Sequence, residues 1–307
     1  MRDSESFADI DRALRQLEES VARFKDEDTK QTLKGINDLR ERLYGSISRW
    51  SSIELSRHMH RPGSDAFIDG IFSSFMEIHG DRRYGDDVAL TGGFAMLGKT
   101  PVMVIAHKKH SPGAKDYMKY HYGMASPSGH YKAMRLMRLA EKAHRPVITF
   151  VDTPGAYPVP SAEDQGQAFS IAQCISTIAE VKTPVIACII GEAASGGALS
   201  IGFGDRIIML SNAFYSVISP EGFSSIVYGD ASNRKKAADE LEGTGVDLFE
   251  KGMVDSLVRE PTGGAQNDSS GVITETGRVI TGYVQELVAM DIKELMEARA
   301  RRIERLF

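Results

Sequence analysis

Three short apolar segments, each beginning with Pro-Val, constrain the fold of this chain more than any other feature. They are PVMVIA at 101–106, PVITFV at 146–151 and PVIACII at 184–190. Runs this rich in Val and Ile are typical of strands that are covered on both faces, as in α/β proteins. Two further strand candidates follow at 206–210 and 213–218. The sequence therefore predicts an α/β fold with a largely buried sheet.

Helical patterns of apolar residues lie before, between and after these strand candidates. The predicted helices span about 65–79, 129–144, 163–180, 195–203 and 274–305. The segment 261–277 is rich in Gly, Ser and Thr, which predicts a surface loop. Because helices alternate with strands, we expect repeated strand–helix units.

The N-terminal part of the chain differs in kind from the rest. Apolar residues recur at spacings of three and four over 7–24, and a second apolar stripe follows over 33–43. These stripes predict a helical hairpin and a connector over 1–60, too short for a freestanding coiled coil and therefore packed on a partner or on the main domain. Residues 61–307 are predicted to form one domain that ends in the C-terminal helix.

Charge and cysteine content exclude several functions. The net charge is −5, from 37 basic and 42 acidic residues, so nonspecific nucleic-acid binding is not expected. Cys174 and Cys188 form no CxxC pair, and no His/Asp cluster suggests a metal, so we predict buried thiols and no metal in this chain. The chain begins without an apolar signal region and contains no run of 18 apolar residues. We therefore expect a cytoplasmic protein that makes no membrane contact.

The final predicted helix ends in four arginines: Arg299, Arg301, Arg302 and Arg305. Cations near a helix C-terminus interact favourably with the negative end of the helix dipole. We prefer that interpretation to a nucleic-acid patch, because the protein as a whole is acidic.

The stretch GEAASGGALSIGFGD at 191–205 directly follows a predicted strand. Gly196 and Gly197 would open a helix there, and Ala198 follows them. Unpaired N–H groups at such a position bind an anion or a developing oxyanion, and glycine lets a ligand approach the backbone. For a Gly-Gly pair alone, tight helix–strand packing explains the small residues about as well.

A second loop, VDTPGAYPVPSAEDQGQ at 151–167, follows another strand in the same way. Gly155 and Ala156 could present further N–H groups at the same edge of the sheet. Pro158 and Pro160 stiffen the loop, and a simple strand–helix turn needs fewer residues. Length and rigidity favour a function for this loop.

Familiar catalytic motifs are missing from the sequence. It contains neither GxxxxGK[ST] nor GxGxxG, and Ser195 lacks the GxSxG context of a serine hydrolase. Glu163 and Glu192 could form a hydratase-type carboxylate pair. A lysine-containing stretch could meet phosphates or a partner, although solvent exposure is the simpler interpretation. Its lysines are Lys108, Lys109, Lys115, Lys119 and Lys132.

Taken together, the motifs resemble the carboxyltransferase alpha subunit of bacterial acetyl-CoA carboxylase, in family order and over essentially the whole chain. The matching segments are SRHMHRP, HGDRRYGDD, TGGFA, PVMVIAHKK, YGM, KAMRLMRLAEK, PVITFVDTPGAYP, GEAASGGALSIGFGDRIIML, YSVISPEG and EPTGGAQND. The chain departs from the family at Ala193-Ala194, where Gly-Gly is usual, and at Ser128, where Glu is common. These departures leave open a specialised paralogue that uses another acyl-CoA or decarboxylates malonyl groups.

The resemblance implies a crotonase-like (ClpP/crotonase) ββα superhelix with an N-terminal helical hairpin. It also implies pairing with a beta subunit, as alpha-two beta-two, and an active site between subunits. Within the larger complex a biotin carboxylase and a biotin carboxyl carrier protein are expected. The carrier would bring carboxybiotin, whose carboxylate passes to acetyl-CoA and gives malonyl-CoA for fatty acid synthesis.

The resemblance carries site residues over to both loops. Those implied to form the oxyanion hole and to bind biotin are Gly155, Ala156, Tyr157, Gly196, Gly197 and Ala198. Two other functions remain open: a free-standing crotonase-like hydratase, isomerase or decarboxylase that uses Glu163 or Glu192, and a noncatalytic scaffold. The N-terminal hairpin disfavours the first, and the intact Ser-Gly-Gly-Ala turn disfavours the second.

Overall fold

An eight-stranded mixed sheet forms the centre of the computed structural model, which describes residues 7–24, 27–44, 47–110 and 116–306. The strands are β1 (Ser73–Glu77), β2 (Leu90–Leu97), β3 (Thr100–His107), β4 (Val147–Thr153), β5 (Val185–Ala194), β6 (Arg206–Leu210), β7 (Phe214–Ser216) and β8 (Ser256–Val258). The helices are α1 (Phe7–Val21), α2 (Glu27–Tyr44), α3 (Arg49–Ser56), α4 (Ser64–Ile71), α5 (Pro127–Lys142), α6 (Pro160–Asp164), α7 (Gln167–Glu180), α8 (Ser195–Leu199), α9 (Pro220–Tyr228), α10 (Arg234–Leu241), α11 (Gly245–Glu250), α12 (Ser269–Val288) and α13 (Ile292–Leu306). Short 3₁₀ turns lie at His121–Gly123 and Ala231–Asn233.

The strands follow the order β1-β2-β3-β4-β5-β6-β8, and β7 pairs with the end of β5. The pairs β1–β2 and β2–β3 are antiparallel, whereas the pairs from β3 to β8 are parallel. Every residue of β4 and β5 is buried, which explains their uninterrupted apolar sequences. The predicted α/β class and the five predicted strands are confirmed.

The two cysteines lie where the sequence analysis expected them, in the core. Cys174 of α7 is 0% exposed and Cys188 of β5 is 1% exposed, and both thiols are free. Burial raises the pKa of both thiols, that of Cys174 to about 12. They are therefore unreactive packing residues.

Several predicted helix boundaries are wrong. The segment 65–79, predicted as one helix, contains α4 and then the edge strand β1. The prediction missed β1 because a bulge between Ser73 and Met76 disturbs the alternation that marks a strand. The helix predicted over 195–203 is the short α8. The long C-terminal helix is interrupted between α12 and α13, and α12 begins inside the segment predicted as a loop.

The N-terminal helices α1 and α2 pack on each other, as the hairpin prediction requires. Leu14 and Ile36 are buried, but Leu17 and Phe24 are 48% and 66% exposed, so the hairpin leaves apolar surface uncovered. The side chains of residues 7–12 lie outside the described part. Helix α3 instead joins the main fold, where Trp50 forms a second apolar cluster with strand β7 and helix α10.

Two of the C-terminal arginines have a role that the dipole interpretation missed. Arg299 is 1% exposed and forms a bidentate ion pair with Asp205, at 2.8 and 2.7 Å. Its remaining N–H groups donate to three backbone carbonyls, those of Ile178, Val181 and Thr183. Arg302 pairs with Asp255 at 2.7 Å. These contacts attach α13 to the parallel edge of the sheet. Within the described ranges, each helix is too short or too polar to serve as a membrane span.

Two fully buried histidines make the fold sensitive to acid. Burial, together with the charges of His130 and Lys109, lowers the pKa of His107 to about 3, and burial lowers that of His130 to about 4. Within the described residues neither ring nitrogen of His107 has a partner, whereas Nδ1 of His130 lies 2.9 Å from the Ser170 hydroxyl. Both rings are therefore neutral in the folded protein at neutral pH.

We predict that stability falls as the pH drops below about 6.5, the pKa of an unfolded histidine. Below that value His107 and His130 are protonated in the unfolded chain, whereas in the folded chain they stay neutral until the pH approaches 3 and 4, respectively. Each histidine should cost about 1.4 kcal/mol per pH unit, so urea unfolding at pH 7.5 and 5.5 should differ by about 3 kcal/mol. His107→Gln should reduce this slope, whereas His144→Gln, at an exposed site, should not. An unchanged slope in His107→Gln would contradict the prediction.

Candidate functional site

The two loops singled out in the sequence lie side by side at one edge of the sheet. β4 and β5 are parallel neighbours, and Thr153 pairs with Ala193 at their ends. The loop that begins at Pro154 and the turn that begins at Ser195 therefore leave the same edge together. Ligands of open α/β sheets bind at this carboxyl edge.

The two loops are in direct backbone contact at glycine. A Cβ atom on Gly197 would lie 2.3 Å from the carbonyl carbon of Gly155 and 2.6 Å from the nitrogen of Ala156. Real Cβ atoms do not approach backbone this closely, so residue 197 must be glycine for this packing. Gly155 itself has φ +151°, which also favours glycine. Both glycines are buried.

Three backbone N–H groups at this contact have no acceptor among the described residues: those of Ala156, Gly196 and Gly197. The N–H of Gly155 donates to its neighbour Thr153 Oγ1 at 3.2 Å, so Gly155 provides close packing and Ala156 provides the donor. The N–H of Tyr157 donates to the Ala125 carbonyl at 3.4 Å. Backbone N–H groups without an internal acceptor are able to hold an oxyanion.

The turn after β5 is held in a strained conformation. Ser195 has φ +61°, a left-handed conformation that costs a non-glycine residue on the order of 1 to 3 kcal/mol. Ser200 fixes the turn from below, because its hydroxyl donates to the Gly197 carbonyl at 2.7 Å and its N–H donates to the Gly196 carbonyl at 3.0 Å. Helix α8 has only five residues, so the local N–H groups, rather than a long helix dipole, carry the partial positive charge.

A buried carboxylate ties the two strands together just before the loops. Asp152 Oδ1 accepts from the Glu192 N–H at 3.2 Å and from Lys109 Nζ at 2.9 Å. A Cβ on Gly191 would lie 2.5 Å from the same oxygen, so Gly191 makes room for the carboxylate. Burial lowers the pKa of Lys109, but the charges of Asp152 and Glu192 outweigh burial and raise it. Lys109 is therefore a cation whose side chain is only 13% exposed and which pairs with the carboxylate at the end of β4.

Arg57 binds two carboxylates on different elements. Its guanidinium donates to Glu192 Oε1 at 2.7 and 3.0 Å and to Glu221 Oε1 at 2.7 Å. The Glu192 side chain is 6% exposed and engaged by this ion pair, whereas Glu163 lies on the exposed surface of α6. Burial alone would raise the pKa of Glu221, but the hydrogen bond and the charge of Arg57 lower it. The hydratase-type pair of Glu163 and Glu192 is not supported by this arrangement.

Aromatic rings cover one side of the loop after β4. The His121 ring stacks on Tyr157 with centroids 4.1 Å apart and an angle of 11° between the planes. His121, Tyr122 and Gly123 all have positive φ, and a Cβ on Gly123 would lie 2.5 Å from the Asp152 carbonyl oxygen. The strained turn is therefore pressed against the end of β4, and it supports Tyr157 from one side.

A buried amide supports the same loop from below. Gln167 Nε2 donates to the Ala125 carbonyl at 2.9 Å, and that carbonyl also accepts from the Tyr157 N–H. The Ser170 hydroxyl donates to the Gln167 carbonyl at 2.8 Å. The start of α7 thus fixes the loop through Ala125.

Exposed apolar side chains lie on the elements that follow the two loops and strand β7. Phe169 near the start of α7 is 60% exposed, Leu199 of α8 is 39% exposed and Val217, just after β7, is 80% exposed. On α9, Ile226 is 76% exposed. An exposed apolar rim of this kind around a site is typical of a surface that binds another protein. We call these four residues the apolar rim.

Sequence reasoning found the two loops but missed the charges behind them. It interpreted the lysines as solvated, which is wrong for Lys109 and for Lys132, whose Nζ bonds Asp86 and the Asp87 carbonyl. Lys108 pairs with Asp65 at 3.1 Å, and Lys115 lies outside the described residues. A signal was present, because each loop is preceded by a carboxylate at a strand end. A sequence alone does not reveal which cation lies beside such a carboxylate.

Comparison with known sequences gives a consistent result. Residues 4–306 match the acetyl co-enzyme A carboxylase carboxyltransferase-like family. The acetyl-coenzyme A carboxylase carboxyl transferase subunit alpha of Geobacter metallireducens is 41% identical over 273 residues, covering 89% of this chain and 86% of the relative. The protein of the same name from Thiobacillus denitrificans is 38% identical over 308 residues, covering 97% and 95%.

Solved structures resemble the chain in fold. The malonate decarboxylase hetero-tetramer from Pseudomonas, in complex with coenzyme A, contains a chain with a TM-score of 0.61 and 16% identity, covering 78% of this chain and 96% of that one. The geranyl-CoA carboxylase beta subunit of P. aeruginosa gives a TM-score of 0.58 at 15% identity, covering 82% and 46%. The fold is therefore the crotonase-like fold, as the resemblance implied.

Proposed function

We propose that this chain, which belongs to the acetyl-CoA carboxylase carboxyltransferase alpha-subunit family, helps to transfer a carboxyl group from biotin to acetyl-CoA, giving malonyl-CoA. One observation carries the proposal beyond family membership. Three backbone N–H groups that have no acceptor among the described residues belong to the two loops that meet where Gly197 contacts the Gly155–Ala156 peptide. Such a group of donors stabilises negative charge on oxygen.

The residues present fit the ureido carbonyl of biotin. A carbonyl oxygen that gains negative charge needs N–H donors, and Ala156, Gly196 and Gly197 offer N–H groups that have no acceptor among the described residues. Gly155, Tyr157 and Ala198 belong to the same proposed binding surface. When bound, biotin on its carrier would supply the carboxyl group and accept charge on its ureido carbonyl oxygen. Each donor would contribute about 3 to 4 kcal/mol of transition-state stabilisation.

The surrounding residues keep the donors in place rather than move protons. Asp152, Lys109 and Arg57 fix the ends of the two strands, so the loops need little reorganisation when charge develops. Glu192 is held by Arg57 and is therefore a poor base. We infer that the α-proton of the acyl group leaves to a base that does not belong to these two loops.

A beta subunit is the proposed second half of the active site. The apolar rim lies on the elements that follow the two donor loops and β7, and its side chains are 39% to 80% exposed. Covering it with a partner would bury apolar surface and remove water from the donors, and each change strengthens the proposed chemistry. We propose an alpha-two beta-two assembly that works with a biotin carboxyl carrier protein and a biotin carboxylase in the cytoplasm.

We propose that the chain divides near residue 60 into an N-terminal helical hairpin with its connector and a larger domain. The helical hairpin would serve as a docking element and the remainder as the carboxyltransferase domain. Among the described residues, Arg49 and Arg57 bind Asp247 and Glu192 of the larger part, so the connector is bound to that part.

Gly197→Ala should lower the rate constant of carboxyl transfer by about 100-fold or more, because the new Cβ would displace the peptide of Gly155 and misplace the donors. The measurement is malonyl-CoA formation by the reconstituted alpha–beta complex. Gly282→Ala is the matched control, since a Cβ there meets nothing within 4 Å and activity should be unchanged. Circular dichroism and co-elution with the beta subunit verify folding. A Gly197→Ala rate within twofold of wild type would refute the oxyanion assignment.

The purified chain alone should form no malonyl-CoA from acetyl-CoA and carboxylated carrier, because the apolar rim then lacks its cover. Adding the cognate beta subunit should restore the reaction. Mass spectrometry of the product gives a direct readout, and the beta subunit alone serves as the control. Turnover of acetyl-CoA by the single chain would show that its site is complete without a partner.

A further inference from the structure

A second concave site lies on the outer surface, between the loop that precedes β2 and helices α5 and α7. We call it the arginine groove, after Arg82, Arg83, Arg135 and Arg138, which line it together with Tyr131. Its volume is about 520 Å³, within the range of small-molecule sites. No residue of the two glycine loops is among those that line the groove, so the two sites use different residues.

The loop that presents Arg82 is rigid. Asp81 is 4% exposed, and its Oδ1 accepts from the N–H groups of Arg83, Tyr84 and Gly85 at 2.8 to 2.9 Å. The Asp81 N–H in turn donates to the Gly85 carbonyl at 2.7 Å. Burial raises the pKa of Asp81, but these backbone donors outweigh burial and lower it. The carboxylate thus bonds to the backbone of its own loop.

Arg82 is exposed in a strained conformation without a carboxylate partner. Its φ is +69°, and no ion pair of Arg82 exists within the described ranges. A non-glycine residue in a left-handed conformation persists where surrounding contacts impose it, and such residues cluster at binding sites. Beside it, the Arg83 guanidinium lies 4.2 Å from the centre of the Tyr131 ring.

The cations are close enough to repel one another. Arg135 donates to the carbonyls of Gly80 and His79, and burial and then the charge of Arg82 lower its pKa. Among the acids that line the groove, Asp81 is occupied by backbone and Glu180 is bound by Arg138. Four arginines against two carboxylates leave an excess of two positive charges, in a chain whose net charge is −5.

We propose that the arginine groove binds the phosphate groups of a nucleotide-sized ligand. Arginine forks bind phosphate oxygens in pairs, and an anion between Arg82 and Arg135 would relieve their repulsion. Tyr131 and Met134 add an apolar wall, which suits an organic phosphate better than a bare ion. The phosphates could belong to the nucleotide end of coenzyme A or to a free nucleotide. The proposal does not depend on the carboxyl-transfer chemistry.

Calorimetric titration of the full-length chain at low salt tests the proposal, with coenzyme A, dephospho-coenzyme A and ADP as ligands. We expect at least one of them to bind with submillimolar Kd. Coenzyme A that binds at least tenfold more tightly than the other two would identify the substrate as the source, and ADP that binds as well as coenzyme A would identify a free nucleotide. Either result supports binding in the arginine groove if the Arg82 variants described below weaken that binding.

Arg82→Gln should raise the Kd at least tenfold, and Arg278→Gln, an exposed arginine on α12, should leave it unchanged. Arg82→Gly separates binding from folding, because glycine relieves the positive φ. That variant should therefore lose affinity while its urea midpoint stays equal or rises. Absence of binding by all three ligands at 1 mM, or equal affinity in wild type and Arg82→Gln, would overturn the proposal. Because the readout is binding by the single chain, failure here leaves the proposed carboxyl transfer untouched.

Discussion

The backbone contact between Gly197 and the Gly155–Ala156 peptide determines the shape of the site. The two main chains approach this closely because Gly197 carries no Cβ. The contact joins two loops that come from different strands, and it brings Gly197 against the peptide nitrogen of Ala156. Because β4 and β5 are adjacent and parallel, the sheet itself delivers the loops to the same edge. The order of the strands and the glycine at position 197 therefore both determine the geometry of the proposed oxyanion site.

Buried charge maintains this arrangement. Asp152 binds Lys109 and the backbone of Glu192, and the Glu192 side chain binds Arg57. Arg57 comes from the segment after α3, so the N-terminal part of the chain contributes directly to the end of β5. Each ion is paired, which avoids the large cost of an isolated buried charge. The network explains how backbone donors can stay fixed without a side chain of their own to hold them.

The sequence was informative where a pattern has a single physical cause. Continuous Val and Ile runs identified β3, β4 and β5, and small residues after two of them identified both loops. Prediction failed where the cause is nonlocal. Strand β1 contains a bulge, and it forms by pairing with β2. The helical spacing of apolar residues over 65–79 does not reveal this pairing. The burial of Arg299 depends on Asp205, ninety-four positions away. No local sequence pattern predicts an ion pair between residues so far apart in the chain. The ion pairs of the site were missed for the same reason.

The burial of both native cysteines has a practical consequence for work on this protein. Maleimides react with thiolates that solvent can reach, and Cys174 and Cys188 offer neither accessibility nor an ordinary pKa. The folded chain therefore behaves as a cysteine-free background for labelling. A single cysteine introduced at Val217 would carry a fluorophore on the apolar rim and report the arrival of a partner without any change to the native thiols.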